Sequence, residues 1–516
     1  MKRFTLVTAI VAVFLTLAAS QAGANAKYIV VVVWDGMRPD LVTKENAPTL
    51  FAMMQKGVFF ENNHPAFPSS TEVNGAAIAT GSYPRTSGII ANREYRPDID
   101  PMKTVATEEI TTVRMGDSMS NGGYLKVPTM AEVLRTQVPA LKTVCAGTKG
   151  VTLLLDRALR DADSSSILIC EGDALPSNLA EKLNSDLGLF PAATNNNKTV
   201  RDNWTCSAMV DVAWEGGVPP FSMLWLAEPD YSQHQMGVGS DTSMDSIRNC
   251  DDRLAYLLAS LSKRGILDQT DVIVVSDHGF STASRRVDLN KDLRAAGIDA
   301  VKAFGDKPAP GSALTCSLGT VNFIYLSDHD KAAEARILDV LRKLDYVGAI
   351  FTRSGAEGTF PLSDAMIDSP AAPDIVVSFR WTSEKNAAGL RGMIPSESGN
   401  YVGVHSSAGP SDMHNTMIAY GPDFRLNWRD TLPTGNVDIA PTVYWILGIT
   451  PPKSVDGRVL SEAMTIPAPE IKTNTSARKV ASVKTPTGTW VQYLKVSEVN
   501  GTHYIDEGNG ALEPAK

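Results

Sequence analysis

An α/β fold with a mostly parallel sheet sandwiched by helices is predicted by three apolar runs, residues 28–34 (YIVVVVW), 221–226 (FSMLWL) and 271–276 (DVIVVS). The first and third are rich in β-branched residues and all are continuous rather than alternating, the pattern of strands covered on both faces. Helical periodicity stands between them, which is the order of elements in a layered α/β domain. Each run also leads into an acid: Asp35-Gly36 after the first, Glu228-Pro229-Asp230 after the second, Asp277-His278-Gly279 after the third. Open α/β sheets bind their ligands beyond the carboxyl ends of their strands, so these three acids mark one edge.

A length of 516 residues allows one large α/β domain with insertions, or two to three domains. With 43% hydrophobic and 20% charged residues the chain is globular and has ample core. A net charge of −9 argues against a nucleic-acid scaffold or anionic membrane as partner, while leaving room for a local cationic site.

Residues 1–26 read as a signal peptide. Lys2 and Arg3 precede an apolar run to Ala19, and two small-x-small sites follow, Ala22-Gly23-Ala24 and Ala24-Asn25-Ala26. The run is short for a membrane span, so the mature protein is expected to be exported, to the periplasm, with no stable span. Five cysteines suit an oxidising compartment, and Cys206 with Cys250 is the pairing expected first. No two form a CxxC, which argues against a zinc–thiolate site.

In order, residues 48–56 open on a proline and read as a helix. Residues 65–92 (PAFPSSTEVNGAAIATGSYPRTSGIIAN) pass from Pro and Ser through Thr71 into a small-residue helix over 75–80. A hydroxyl just ahead of such a helix meets free backbone N–H groups, a seat for an anion. Residues 93–123 read as an irregular surface excursion. Helices are expected over 129–137, 179–189 and 203–214, and strands over 142–146 and 166–170. Residues 195–197 (NNN) mark a loop, and residues 244–264 form an amphipathic helix stopped by Gly265.

Residues 285–400 read as an inserted, smaller α+β cap, after which the main fold resumes at Gly403. The core is thus expected over 27–284 and 401–465, and 466–516 as a β-rich tail. His329, among acids at a helix start, is expected to cap or to face solvent.

The strand-end residues make a metal-binding constellation. Asp35, Asp230, His234, Asp277 and His278, with either His405 or His414, supply three carboxylates and three imidazoles. Two mixed sites of three ligands each suit zinc first, and manganese or another divalent ion second. Two ions about 4 Å apart can clamp both the attacking and leaving oxygens of a phosphoryl transfer, and an ion can activate a hydroxyl such as Thr71.

The segments VVVWDGMRPD, PSSTEVN…ATGSYPRTSGIIAN, EPDYSQHQMG, VIVVSDHGFS and VGVH…MIAYGPDF, in this order, resemble the alkaline phosphatase superfamily, within it the type I phosphodiesterase/nucleotide pyrophosphatase family. The resemblance implies an alkaline-phosphatase-like fold and a small phosphorylated substrate. It implies Thr71 as nucleophile and ligand of one metal, completed by Asp35, Asp277 and His278. Asp230, His234 and His405 would hold the other, His405 being preferred over His414 for its distance to Gly421-Pro422.

Asn92 would donate to a phosphoryl oxygen, while Asn74 would be structural. The implied reaction forms a covalent phosphothreonine, which is then hydrolysed. Two departures bear on the substrate. Glu72 stands where family members commonly carry an aromatic residue against a nucleobase. Lys149 falls where monoester- and phosphonate-hydrolysing relatives carry cations, although a solvated lysine is the first expectation there.

The leading expectation is a hydrolase of phosphate diesters or pyrophosphates, with a phosphomonoesterase or phosphonate hydrolase on the same site as the alternative. The absence of a Cys-x-Pro-x-Arg motif weighs against a sulfatase. From a different class, the chain could be a non-catalytic, zinc-stabilised binding protein.

Overall fold

The computed structural model describes residues 25–157, 166–192 and 198–515. The signal-peptide reading and the 195–197 loop therefore fall largely or wholly outside the described residues.

A nine-stranded sheet forms the middle layer. In chain order its strands are β1 (Tyr28–Trp34), β2 (Val58–Phe60), β3 (Thr143–Gly147), β4 (Ile167–Cys170), β5 (Asp173–Leu175), β6 (Phe221–Leu226), β7 (Thr270–Val275), β8 (Met417–Tyr420) and β9 (Trp428–Asp430). Their spatial order is β9-β2-β8-β7-β1-β6-β3-β4-β5. The block β7-β1-β6-β3-β4 is parallel throughout, and β8 joins β7 antiparallel. The three runs that predict the fold are thus three adjacent strands, β7, β1 and β6, and their carboxyl ends lie side by side.

The helices that position the site are α1 (Pro48–Lys56), α2 (Thr71–Thr80), α3 (Asp230–Met236), α4 (Asp241–Lys263) and α5 (Ile439–Leu447). Ile247, Leu254, Leu257 and Leu261 of α4 pack with Val30, Val32 and Leu224 on one face of the sheet. Ala76, Ile78 and Ala79 of α2 pack with Val31, Val33 and Trp225 on the other, together with Ile439 and Val443 of α5. This alternation of inward faces along β1 is what period-two geometry requires of a strand buried on both sides.

A second, six-stranded sheet is built from residues between 300 and 379, and Phe323 and Phe351 of this sheet cluster with Val73 and Ala77 of α2. The helix that begins at Thr71 is therefore held between two sheets, and all ten of its residues are buried. Its run of Gly and Ala is what permits that. A Cβ on Gly75 would lie 2.3 Å from Val151 Cγ2. Strands Ser281–Arg286, Arg391–Ser396 and Gly403–Val404 join a further four-stranded sheet. The tail forms three long antiparallel strands, Asn474–Thr485, Gly488–Val499 and Thr502–Pro514.

Two expectations are corrected. Residues 93–123 are not irregular: they contain a short hairpin, Arg93–Tyr95 with Thr104–Ala106, and the helix Ile110–Met119. The helix buries only Val113 and Gly116, so it leaves little apolar periodicity to read. The five cysteines are all free thiols. Cys206 and Cys250 point their sulfurs at separate backbone carbonyls, those of Arg253 and Glu228, instead of at each other.

Candidate active site

Three strand ends and one helix start converge. Asp35 follows β1, Asp230 opens α3 after β6, and Asp277 and His278 follow β7. His234 lies one turn after Asp230 on α3, and the loop after Gly403–Val404 brings in His405. Asp35, Asp277 and His278 form one group and Asp230, His234 and His405 another; within each, the candidate ligand atoms lie within 4.8 Å of one another.

The groups adjoin. His278 Nε2 lies 3.3 Å from Asp277 Oδ2, 3.6 Å from Asp35 Oδ1 and 3.9 Å from Asp230 Oδ1. His234 Nε2 and His405 Nε2 are 3.3 and 3.7 Å from that same Asp230 oxygen.

The hydrogen bonds around these side chains determine which atoms remain free. His234, His278 and His405 each direct Nδ1 at a backbone carbonyl, of Gly403, Gly279 and Ser69, at 2.8, 2.9 and 2.9 Å. A carbonyl only accepts, so Nδ1 carries the hydrogen and the Nε2 lone pair faces inward, as a metal-binding imidazole requires. Each aspartate has one satisfied oxygen. Asp35 Oδ2 accepts from Trp225 Nε1 at 2.9 Å and Lys149 Nζ at 2.8 Å, Asp230 Oδ2 from Lys149 Nζ at 2.6 Å, and Asp277 Oδ1 from Gly36 N at 2.9 Å.

The other oxygens, Asp35 Oδ1, Asp230 Oδ1 and Asp277 Oδ2, are buried without a hydrogen-bond partner. Buried carboxylate oxygens are costly unless something cationic meets them. Three such oxygens beside three inward imidazole lone pairs fit two divalent cations, and zinc accepts this donor set.

The electrostatics agree. Burial and the neighbouring Asp277 push Asp35 well above the usual carboxylate range, and burial pushes Asp277 to about 7. Burial acts against the charge of Asp230 too, but Lys149 and His234 outweigh it and hold that carboxyl well below its ordinary value. Burial and the adjacent His278 and His234 rings hold His405 well below the usual imidazole range, and so neutral. His278 is likewise lowered by burial.

Thr71 is the first residue of α2 and only 3% exposed, with Oγ1 3.4 Å from His278 Nε2. Asn92 Oδ1 accepts the Glu72 amide hydrogen at 3.2 Å, which leaves its Nδ2 as the donor at the site. Asn74 bonds Ala66, Ser70 and Asn436 and braces the turn before α2. Thr71, Glu72, Asn92, Lys149 and Tyr231 line one cavity of 570 Å³, together with the Asp230–His234–His405 group.

His414 stays out of the cluster; its ring lies 4.7 Å from that of His64. His329 pairs with Asp374 at 2.6 Å, at a helix start remote from the cluster in the chain. The solvated reading of Lys149 is overturned, because its ammonium bridges two aspartates and is 24% exposed. Trp225, Tyr401 stacked 4.5 Å from His234, and the Gly36 amide escaped sequence reasoning. No local pattern distinguishes a strand tryptophan that donates to a carboxylate from one that only packs.

A profile described as type I phosphodiesterase / nucleotide pyrophosphatase matches residues 29–387. The chain belongs to this family. It is therefore a hydrolase of the alkaline phosphatase superfamily, in the branch that acts on phosphodiester and pyrophosphate bonds, and the family is metal-dependent.

Among similar family members, the bis(5'-adenosyl)-triphosphatase enpp4 of Xenopus laevis is 23% identical over 82% of this chain and 78% of its own. The Homo sapiens protein of the same description is 22% identical over 82% and 78%. Of the solved structures, human ectonucleotide pyrophosphatase / phosphodiesterase 5 aligns with a TM-score of 0.58 at 17% identity, covering 85% of this chain and all of that one. An inactive threonine-to-alanine form of the murine protein, in complex with AMP, aligns at 0.57 over the same share. The likeness extends to the alkaline-phosphatase-like fold.

Proposed function

We propose that the protein is an exported two-metal hydrolase of phosphate diesters or pyrophosphates, zinc being the first choice of ion, acting through a phosphothreonine at Thr71. The observation that carries this reading is the set of three unpartnered aspartate oxygens and three inward histidine nitrogens beside a buried threonine hydroxyl. Asp35, Asp277, His278 and Thr71 would hold one ion, and Asp230, His234 and His405 the other. Bound there, the ions would lower the pKa of the Thr71 hydroxyl and neutralise charge on the phosphoryl and departing oxygens.

The chain's own residues do the rest. Thr71 Oγ1 bonds to phosphorus as the bond to the leaving oxygen breaks, and the threonine proton leaves to water. Water oxygen then bonds to the same phosphorus and the Oγ1–P bond breaks, which restores Thr71. Asn92 Nδ2 would donate to a non-bridging oxygen, its Oδ1 being held by the Glu72 N–H. The carbonyl bonds from Gly403, Gly279 and Ser69 hold the three imidazoles in one tautomer throughout.

The names of the similar proteins, a bis(5'-adenosyl)-triphosphatase and a nucleotide pyrophosphatase bound to AMP, favour a nucleotide-type substrate. Glu72 qualifies that. It is 2% exposed in the place of the expected aromatic residue, and its Oε2 has no partner. Lys149 favours the second reading, a phosphomonoesterase or phosphonate hydrolase, because it lines the same cavity as Thr71, where its ammonium would meet the second negative charge of a dianionic phosphate.

Hydrolysis of bis-p-nitrophenyl phosphate against p-nitrophenyl phosphate, with and without chelator, separates these readings. Chelator-sensitive diester turnover is expected, with Thr71→Ala lowering it by at least about 10³-fold, as removal of a nucleophile does. Full activity in Thr71→Ala would end the phosphothreonine mechanism, and no chelator-sensitive hydrolysis of either ester would leave a zinc-stabilised binding protein.

A further inference from the structure

We infer that the exported chain begins at Asn25, cut from its leader between Ala24 and Asn25, and that its new α-ammonium group caps a buried pair of carboxylates, Asp423 and Asp271. The sequence offers two small-x-small sites, ending at Ala24 and at Ala26, and does not choose between them. The contacts of Asn25 and Ala26 do.

Asn25 N donates to Asp423 Oδ1 at 2.6 Å, Asn25 Nδ2 donates to the same oxygen at 3.1 Å, and Ala26 N donates to Oδ2 at 3.0 Å. Asp423 is fully buried and so is Asp271, at the start of β7. Asp423 N donates to Asp271 Oδ1 at 3.2 Å, and the two carboxyl groups also meet side chain to side chain. Among the described residues no Lys, Arg or His forms an ion pair with either acid.

Burial and the adjoining Asp423 hold Asp271 well above the usual carboxylate range, so the charge to be met is that of Asp423. A buried carboxylate without a cation is expensive, and a neutral amide supplies only one donor. A free α-ammonium at Asn25 N supplies a positive charge and three donors at that position, making the 2.6 Å contact a charge-assisted one. Cutting after Ala26 would discard all three hydrogen bonds to Asp423. It would also put the new terminus on Lys27, whose N already donates to Gln269 O at 2.8 Å along the edge of β1.

The step is a hydrolysis by an export peptidase that cleaves after small residues. Water adds hydroxyl to the Ala24 carbonyl carbon and hydrogen to Asn25 N as the C–N bond breaks, and the amine takes up a proton. The pair sits at the amino-terminal end of β7, the opposite end from Asp277, so the inference stands apart from the catalytic reading.

The test is to secrete the full chain from a bacterial host and determine its first residue by N-terminal sequencing and intact mass. Asn25 is expected; Lys27, or an uncut leader, would overturn the assignment. A Gly-Ser insertion between Ala24 and Asn25 then moves the ammonium away. It should lower the melting temperature by about 2–4 °C. Asp423→Asn should do the same in the natural form and much less in the inserted one, because both changes break one interaction. Equal melting temperatures with and without the insertion would overturn the cap.

Discussion

Asp277 is the residue whose chemistry is most tightly tied to its surroundings. Burial brings its carboxyl to about 7, so near neutral pH a proton would compete with a cation for it. His234 acts in the same direction, since Asp230 holds its ring above the ordinary imidazole value against the effect of burial. His278 and His405, both lowered, stay neutral and do not compete. Protons bound to Asp277, Asp35 and His234 must leave when an ion enters, so affinity rises with pH. For chelator-stripped protein, zinc affinity should fall by about tenfold per pH unit below about 7 from Asp277 alone, and binding should release protons. Calorimetry in buffers of different ionisation enthalpy measures both; a pH-independent affinity between about pH 6 and 8 would show that Asp277 binds no ion.

The turn after β7 shows how an element fixes such residues. Gly279 follows His278 directly, donates its N–H to Asp412 O at 2.9 Å, and accepts from His278 Nδ1 at 2.9 Å. A Cβ there would lie 2.1 Å from Ser411 O and 2.7 Å from His414 O, both backbone atoms that cannot rotate away. Gly279→Ala must therefore push the turn aside and carry Asp277 and His278 with it. We expect a loss of about 1–3 kcal/mol in stability, the usual cost of overpacking. Zinc affinity should fall further at the site holding Asp277 and His278 than at the one holding Asp230. Thermal unfolding and two-step zinc titration read the two effects, and unchanged binding would mean that the turn does not position the ligands.

This element also marks what the sequence could and could not disclose. Asp277-His278-Gly279 is legible because a β-branched run ends there, and the same holds for Asp35 and Asp230. The tertiary pairings are not. Lys149 looks like any loop lysine until β1 and β6 bring Asp35 and Asp230 to it. The Arg93–Tyr95 hairpin arm carries Glu94, 0% exposed and paired with Arg96, in a stretch whose polarity reads as surface. Hydrophobic pattern reports burial only where the buried residues are apolar.

At the scale of the whole molecule, the C-terminal strands are integrated into the rest of the chain. Trp490, Leu494, Tyr504 and Ile505 are buried, and Leu494 and Ile505 belong to the cluster that also holds Val73 and Ala77 of α2. Gln492 bonds both the N–H and the carbonyl of Ile350, at 2.7 and 2.9 Å. Tyr504 donates to Asp438 Oδ2 at 2.8 Å, just ahead of α5, and His64 Nε2 lies 3.0 Å from Asp506 Oδ1.

Deleting residues 467–516 would expose the apolar side of α2's cluster and strand buried Asp438 and His64 without these partners. Each large core side chain removed costs about 2–5 kcal/mol, while a whole domain holds only about 5–15 kcal/mol of stability. The shortened chain is therefore expected to lose cooperative unfolding and, with Leu494 and Ile505 gone from the cluster that packs on Val73 and Ala77 of α2, the placement of Thr71. Solubility and a thermal melt test this directly. A shortened chain that melts within about 2–4 °C of the full one and keeps its diesterase activity would make the tail an appendage instead of a wall of the helix that begins at Thr71.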